Sequence, residues 1–459
     1  MRTEKDSLGA VQVPDEAWYG VHTVRSLQNF NVAGAPLPGA LIRGIVRLKW
    51  ACALANRSLG LLPPDKTDAI IGACQKLLAG EYADQFPIDV FQAGSGTSTN
   101  MNVNEVVANL ANAALGRPRG DRGGIHPNDD VNKGESTNNV FPSAIKLACV
   151  ELAAPAATSL GVLIAALRTK ANEFKDVLKS GRTHLQDAVP VTLGQEFAAW
   201  ARALEKDVQR IQQARDFLLE LGIGGNAIGT GVNTPKAFRI AICSELTALT
   251  QQSWRAAKDG LEATQFLTDL AGFSAALRCA AADVNKICND LRLLASGPNT
   301  GFNEITLPTV EPGSSIMPGK INPSICEAAN MACIQIMGHD HAVQLSCAAG
   351  QLELNTHMPV VGANLVAALG ILDRVCTMLA EKCIAGIAAN TEVCYRNFES
   401  SLGLPTILNP RLGYDRVAEL VKEARRTGQT LRDLVLARQL LTTAELDALL
   451  KTCIGPNLG

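Results

Sequence analysis

The feature that most constrains this chain is a set of apolar stripes that continue over many helical turns. Phe197, Trp200, Leu204, Val208, Ile211 and Leu218 recur mostly at three- and four-residue steps, as do Leu267, Leu270, Phe273, Leu277, Val284, Ile287, Leu291 and Leu294. That period puts the apolar side chains on one face of an α-helix. Faces this long find enough apolar surface only against other long helices, so the stripes predict a mainly α chain built on a helix bundle. No sustained strand alternation and no short-period repeat is evident. With 459 residues, about 47% of them apolar, the chain is ample for a large core.

The first forty residues, with Pro14, Pro36 and Pro38, read as irregular. Helical patterns run with breaks from near Leu41 to about Leu115. RPRGDRGGIHPNDDVNKGESTNN (117–139) then reads as a long loop, and long helices dominate from about Phe141 to Ala385. From about Ser400 the helices shorten. The expected divisions are a mostly helical N-terminal domain over 1–139, a central long-helix bundle over 140–395 and a small helical C-terminal domain over 396–459.

Net charge is −2 with mixed signs, which points away from a nucleic-acid partner. The start, MRTEKDSLGA, lacks the apolar segment of a secretory signal, and no run of eighteen apolar residues predicts a membrane span. The thirteen cysteines are scattered singly without C-x-x-C, so they read as buried, reduced, cytoplasmic thiols rather than a disulfide framework or a zinc site. No metal or other cofactor is expected.

The unusual chemistry sits on loops. GSGTSTNMN (94–102) offers Ser95, Thr97, Ser98, Thr99 and Asn100. A second loop carries Ser136, Thr137 and Asn138, and a third carries Thr183 and His184. A fourth, GSSIMPGKINP (313–323), carries Ser314, Ser315, Lys320 and Asn322. Hydroxyls and amides donate hydrogen bonds, lysine adds charge, and glycine lets backbone N–H groups approach a ligand, so this set suits a small dicarboxylate. Neither a phosphate-binding GxxxxGK[ST] nor a G-x-G-x-x-G is present. Taken singly, each residue has a plainer reading: Ser136 or Ser314 as a helix N-cap, Lys320 as a solvated lysine, His184 as a core histidine. His339 and His341 form an H-x-H without an evident third ligand and read as solvated or capping.

GSSIMPGKINP resembles the signature G-S-S-x-M-P-x-K-x-N-P of the aspartase/fumarase superfamily at every fixed position. The likeness extends from EKDSLGAVQVP to LNPRLGYDRVAELVKEA. The resemblance implies three domains per chain and a homotetramer with a twenty-helix core, whose active sites each draw on three chains. It implies anti elimination that releases fumarate through an aci-carboxylate dianion, which preorganised donors must stabilise. Carried over, Ser314 is the general base. Lys320, Asn322 and Thr183 hold the α-carboxylate, and Thr97, Ser136 and Ser315 the β-carboxylate. Thr137, Asn138 and His184 face the leaving group, Ser95 beside Thr97 is a further substrate-binding residue, and Glu327 orients His184.

QFPIDVFQAGSGT (85–97), Ser136-Thr137-Asn138, GTGVNTPKAF (229–238), GQLELN (350–355) and YGVHT (19–23) resemble the aspartase branch. HPNDDVNK (126–133) resembles instead a loop that forms a second, non-catalytic anion site in fumarases, here with His126, Asn128 and Asp129. MPGK and GHD (338–340) lean the same way. The expected reaction is removal of ammonia from L-aspartate, with malate–fumarate interconversion as the alternative and a non-catalytic structural role as a third reading. Two positions depart from the resembled pattern: Asn139 stands where aspartate is usual, and Glu135 where glutamine is.

Overall fold

A computed structural model describes residues 1–313, 315–401 and 403–452, with side chains through 450. The described residues are mainly helical, and the chain divides into two compact units. One comprises 1–157, 209–281 and 335–373; the other comprises 158–208, 282–334 and 374–459. The helices Thr137–Glu173, Leu193–Leu218, Thr268–Leu294, Ser324–Ala348 and Met358–Lys382 each contribute to both units. They include both apolar stripes.

In the first unit, strands Arg2–Asp6 and Gly9–Val13 form an antiparallel hairpin, and Val21–Asn29 is helical. The expectation of an irregular start is corrected here. The hairpin is a single two-stranded ribbon with half-exposed faces, so its alternation lacks a strong apolar phase. The short helix has no capping side chain of its own. Its first N–H groups are satisfied from afar, by the buried carboxylate of Glu105: His22 donates to Oε1 at 2.7 Å, and Gly20 and Thr23 to Oε2 at 2.9 and 3.1 Å. Burial still leaves the Glu105 carboxyl above its ordinary pKa, against those hydrogen bonds.

Helices Gly39–Ser58, Pro64–Leu78 and Thr97–Ala114 follow. A Cβ at Gly44 would lie 2.6 Å from the Ala144 carbonyl oxygen, so glycine is what lets Gly39–Ser58 approach Thr137–Glu173 so closely. The 117–139 stretch is ordered by the Asn112 amide, which donates to the Asp121 and Ile125 carbonyls and accepts from the Ile125 N–H. It contains one π-helical turn, Pro127–Val131.

In the second unit, 180–190 is not a loop but most of an antiparallel hairpin, Leu178–Thr183 with Gln186–Thr192, bulged between Ser180 and Arg182. His184 and Leu185 form its two-residue turn, with φ of 57° and 59°. Hairpin turns of this kind normally advertise themselves with Asn-Gly, and His-Leu does not. Beyond the long helices, Phe398, Leu404, Leu408, Val417, Leu420, Leu434, Val435 and Leu446 gather into a small core among the short C-terminal helices.

Thr137–Glu173 and the stretch Met358–Gly386 are long and apolar enough to cross a membrane by length and composition alone, which the count of strictly apolar runs did not anticipate. About half of each apolar window is packed inside the protein, as in a core helix. No described cysteine is held in a disulfide, and most are buried.

Candidate active site

Two helix N-termini carry the donors of the first unit. Ser95 takes a left-handed φ of 60°, its N–H bonds to the Thr356 carbonyl at 2.9 Å, and Gly96 follows at φ 87°. A Cβ on Gly96 would fall 2.2 Å from the Phe141 ring, so only glycine lets this turn sit on the core and launch the helix at Thr97. The Ser95 and Thr97 hydroxyls lie 3.4 Å apart. Ser136 begins the second helix as an N-cap, its Oγ accepting from the Asn138 N–H at 3.3 Å. The plainer reading of Ser136 is therefore met, and a capping hydroxyl still has a proton to donate to a ligand.

The two N-termini are joined. Asn100, one turn into the first helix, donates to the Thr137 hydroxyl at 3.0 Å. Behind them lies a buried polar cluster. The Lys49 ammonium donates to Glu135 Oε2 at 2.9 Å and to Asn132 Oδ1 at 2.8 Å, and that same oxygen accepts from Asn100 and Asn104. Burial pushes the Glu135 carboxyl up while Lys49 pulls it down, and burial wins. Helix N-termini carry partial positive charge, so this arrangement favours an anion before any formal charge is counted.

An open cavity of about 850 Å³ borders Thr97 and Ser98 and is lined as well by Lys5, Arg25, His126 and Asn128. His126 Nδ1 accepts from the N–H groups of Asn128 and Asp129 at 3.2 and 3.1 Å, capping the π-helical turn. The Asp129 side chain is 82% exposed and stays off the cavity wall.

In the second unit, Thr183 and His184 are exposed at the hairpin tip, so the core reading of His184 fails. The hairpin is anchored beneath them: Arg182 clamps Glu304 with two hydrogen bonds, 2.7 and 3.1 Å, and Lys179 stands 3.1 Å from the same carboxylate. Burial would raise the Glu304 pKa, but these two cations outweigh it and the carboxyl is lowered.

Ser314 lies outside the described residues. The neck of its loop is closed by the Gly313 N–H bonding to the Lys320 carbonyl at 3.0 Å and by the Asn322 amide bonding to the Gly313 carbonyl at 2.6 Å. A Cβ at Gly313 would lie 2.3 Å from the Lys320 oxygen, so this crossing requires glycine. Ser315 and Lys320 are exposed beyond the neck. Glu327, in the first turn of Ser324–Ala348, has Arg292 4.0 Å away. His339 Nδ1 meets Asn364, a hydrogen-bonding role. Within one chain, then, the first unit gathers Ser95, Thr97, Ser136, Thr137 and Asn138, and the second offers Thr183, His184, Ser315 and Lys320 to solvent. Sequence patterns point to Glu135 only as a departure and give no sign of Lys49, its partner 86 residues away.

Residues 9–338 match the sequence profile of a family described as Lyase, and 404–452 match the Fumarase C C-terminus. The chain belongs to the aspartase/fumarase superfamily of lyases. It is 45% identical to an aspartate ammonia-lyase of Pseudomonas aeruginosa, over 100% of this chain and 98% of that one. It is 43% identical to an aspartate ammonia-lyase of Escherichia coli, over 97% and 94%. A crystal structure of a fumarate lyase:delta crystallin from Brucella melitensis bound to cobalt superposes with a TM-score of 0.96 at 43% identity, covering 99% of this chain and 100% of that one. A class II fumarase from Schistosoma mansoni superposes at 0.94 with 36% identity, covering 99% and 100%. As a member of this superfamily most like the ammonia-lyases, the chain is an enzyme of the carbon–nitrogen lyase class.

Proposed function

We propose that this lyase removes ammonia from L-aspartate to give fumarate, reversibly, within a homotetramer in the cytoplasm. The observation that carries the reading is end-to-end identity of 45% to aspartate ammonia-lyases against 36% to the class II fumarase. In this reading Ser314, as its oxyanion, takes the C3 proton of aspartate. The electrons left at C3 pass into the β-carboxylate and make the aci-carboxylate dianion. Thr97, Ser136 and Ser315 donate to it, with the two helix N-termini behind them and the Ser95 turn holding Thr97. Lys320, Asn322 and Thr183 hold the α-carboxylate. The dianion then collapses, the C2–N bond breaks with its electron pair leaving on nitrogen, and the C2=C3 double bond of fumarate forms. Thr137, Asn138 and His184 receive the leaving amine, with Glu327 orienting the histidine.

Assembly is supported by large apolar side chains left in solvent on Ser324–Ala348: Met331 is 66% exposed and Ile334 62%. A tetramer would bury them and bring donors of the two units together from different chains. His126 and Asn128, with Asp129 beside them, are proposed as a second anion site at the rim of the 850 Å³ cavity. The HPNDDVNK stretch favours malate–fumarate interconversion as the second reading.

The test is fumarate formation, followed by ultraviolet absorbance, from L-aspartate and L-malate in parallel. Turnover of aspartate alone is expected, and turnover of malate alone would reverse the assignment. Ser314→Ala should lose nearly all turnover while keeping its size in solution; a variant that retains most of its activity would remove Ser314 from the role of base.

A further inference from the structure

Asn138 and Asn139 open the Thr137–Glu173 helix, and both side chains reach the same stretch of glycine-rich backbone. Asn138 Nδ2 donates to the Ala227 carbonyl at 2.7 Å, and Asn139 Nδ2 to the Asn226 carbonyl at 2.6 Å. A carbonyl oxygen only accepts, so each amide must turn its NH2 group to the loop and its oxygen away from it. For Asn138 the consequence is chemical. Its Oδ1 has no hydrogen-bond partner among the described residues, so the group it offers a ligand is an acceptor. An amine bound as ammonium brings only donors, and the opposite amide orientation would face N–H against N–H.

The loop carbonyls that impose this orientation are themselves held. Gly224, Gly229 and Gly231 have φ of 76°, 99° and 72°, and Asn226 shares the left-handed region at 57°. A Cβ on Gly229 would lie 1.9 Å from the Gly260 carbonyl oxygen, so the loop is pressed against a second backbone. The Asn226 side-chain amide closes the loop on itself by donating to the Val232 carbonyl. Asn139 is 1% exposed, and its amide is the buried tie between this loop and the helix.

We propose that Asn139 and Asn226 are positioning residues for amine discrimination: they fix the 222–235 loop so that the Ala227 carbonyl turns the Asn138 oxygen toward the leaving group. The proposal deepens, and rests on, the deamination reading. The tie as it stands in this chain depends on the amide at 139. An ionised aspartate there has no donor for the Asn226 carbonyl and would repel it, whereas a protonated one regains a single donor.

The experiment uses the full-length enzyme with Asn139→Ala, Asn139→Asp and Asn226→Gly. Ammonia addition is assayed with fumarate and ammonium varied separately, and amide hydrogen exchange is read over 222–235. Asn139→Ala is expected to raise the KM for ammonium by about tenfold or more and leave that for fumarate within about twofold, since only the amine end is disturbed. Exchange across 222–235 should quicken. Asn139→Asp should behave the same way at alkaline pH and approach the wild type as the pH falls and its carboxyl protonates. Asn226→Gly keeps the left-handed backbone, loses the tie to Val232 and should fall between. An equal rise in both KM values, or an unchanged KM for ammonium, would overturn the discrimination. Unaltered exchange over 222–235 in Asn139→Ala would overturn the latch itself. A wild-type enzyme that adds no ammonia to fumarate would sink the deamination reading and the amine assignment with it, whatever the exchange result says of the loop.

Discussion

At the scale of single residues, one costly arrangement in the first unit is the Lys49–Glu135 pair, both side chains fully buried. Glu135 Oε2 holds the ammonium, while its other oxygen is buried without a hydrogen-bond partner among the described residues. Removing one partner leaves a buried charge uncompensated, which costs more than the pair contributes as a pair. Glu135→Ala should therefore destabilise the protein by about 3–5 kcal/mol, read from urea unfolding. Glu135→Leu combined with Lys49→Met should recover most of that loss. If the single variant unfolds with the wild-type midpoint, the pair is not a structural charge pair. The sequence marked Glu135 only as a departure from a pattern. Its partner lies 86 residues away in the chain, and nothing local to Lys49 announces it.

At the scale of elements, the N-terminal hairpin is tied to the Val21–Asn29 helix by a two-pronged contact. Arg25 Nε and Nη2 reach the two Asp6 carboxylate oxygens at 2.7 and 2.8 Å. The Arg25 guanidinium lowers the Asp6 pKa from 3.8 to about 2. A depressed carboxyl contributes stability that is complete above its unfolded value and is lost as pH falls through its folded one. The hairpin should therefore loosen between about pH 4 and about pH 2, and not on the alkaline side. Amide exchange over residues 2–13, compared with Arg25→Met, checks this; a hairpin whose exchange is unchanged by the variant at neutral pH would show that the contact does not hold it. Elements were read unevenly from the sequence. Long helices carry their signal in every turn. The 178–192 hairpin hides its signal in a glycine bulge and a His-Leu turn, both set by contacts across the strand pair.

At the scale of the whole molecule, the apolar surface is the informative quantity. Met331 and Ile334 stand in solvent on a helix whose Cys326, Ala329, Cys333 and Ile336 are wholly buried, so Ser324–Ala348 presents apolar side chains on more than one face. Large apolar side chains clustered in solvent mark a surface that another chain covers. Met331→Glu with Ile334→Glu should convert the proposed tetramer to smaller species in sedimentation and abolish turnover, because the two halves of each proposed site then separate. A double variant that sediments as the wild type would place these side chains outside the interface.

By itself the sequence determined the helical class, the donor-rich loops and the superfamily, because helical periodicity and the eleven residues of GSSIMPGKINP are local patterns. Only the tertiary structure decided which polar ends meet. Asn100 and Thr137 join two helix N-termini, His184 rides a hairpin tip, and the polarity of the Asn138 amide is set by a carbonyl 89 residues further along the chain. The reason is physical: a hydrogen bond is decided within about 3 Å in space, and the chain segments that reach that distance are chosen by packing, which no window of sequence contains.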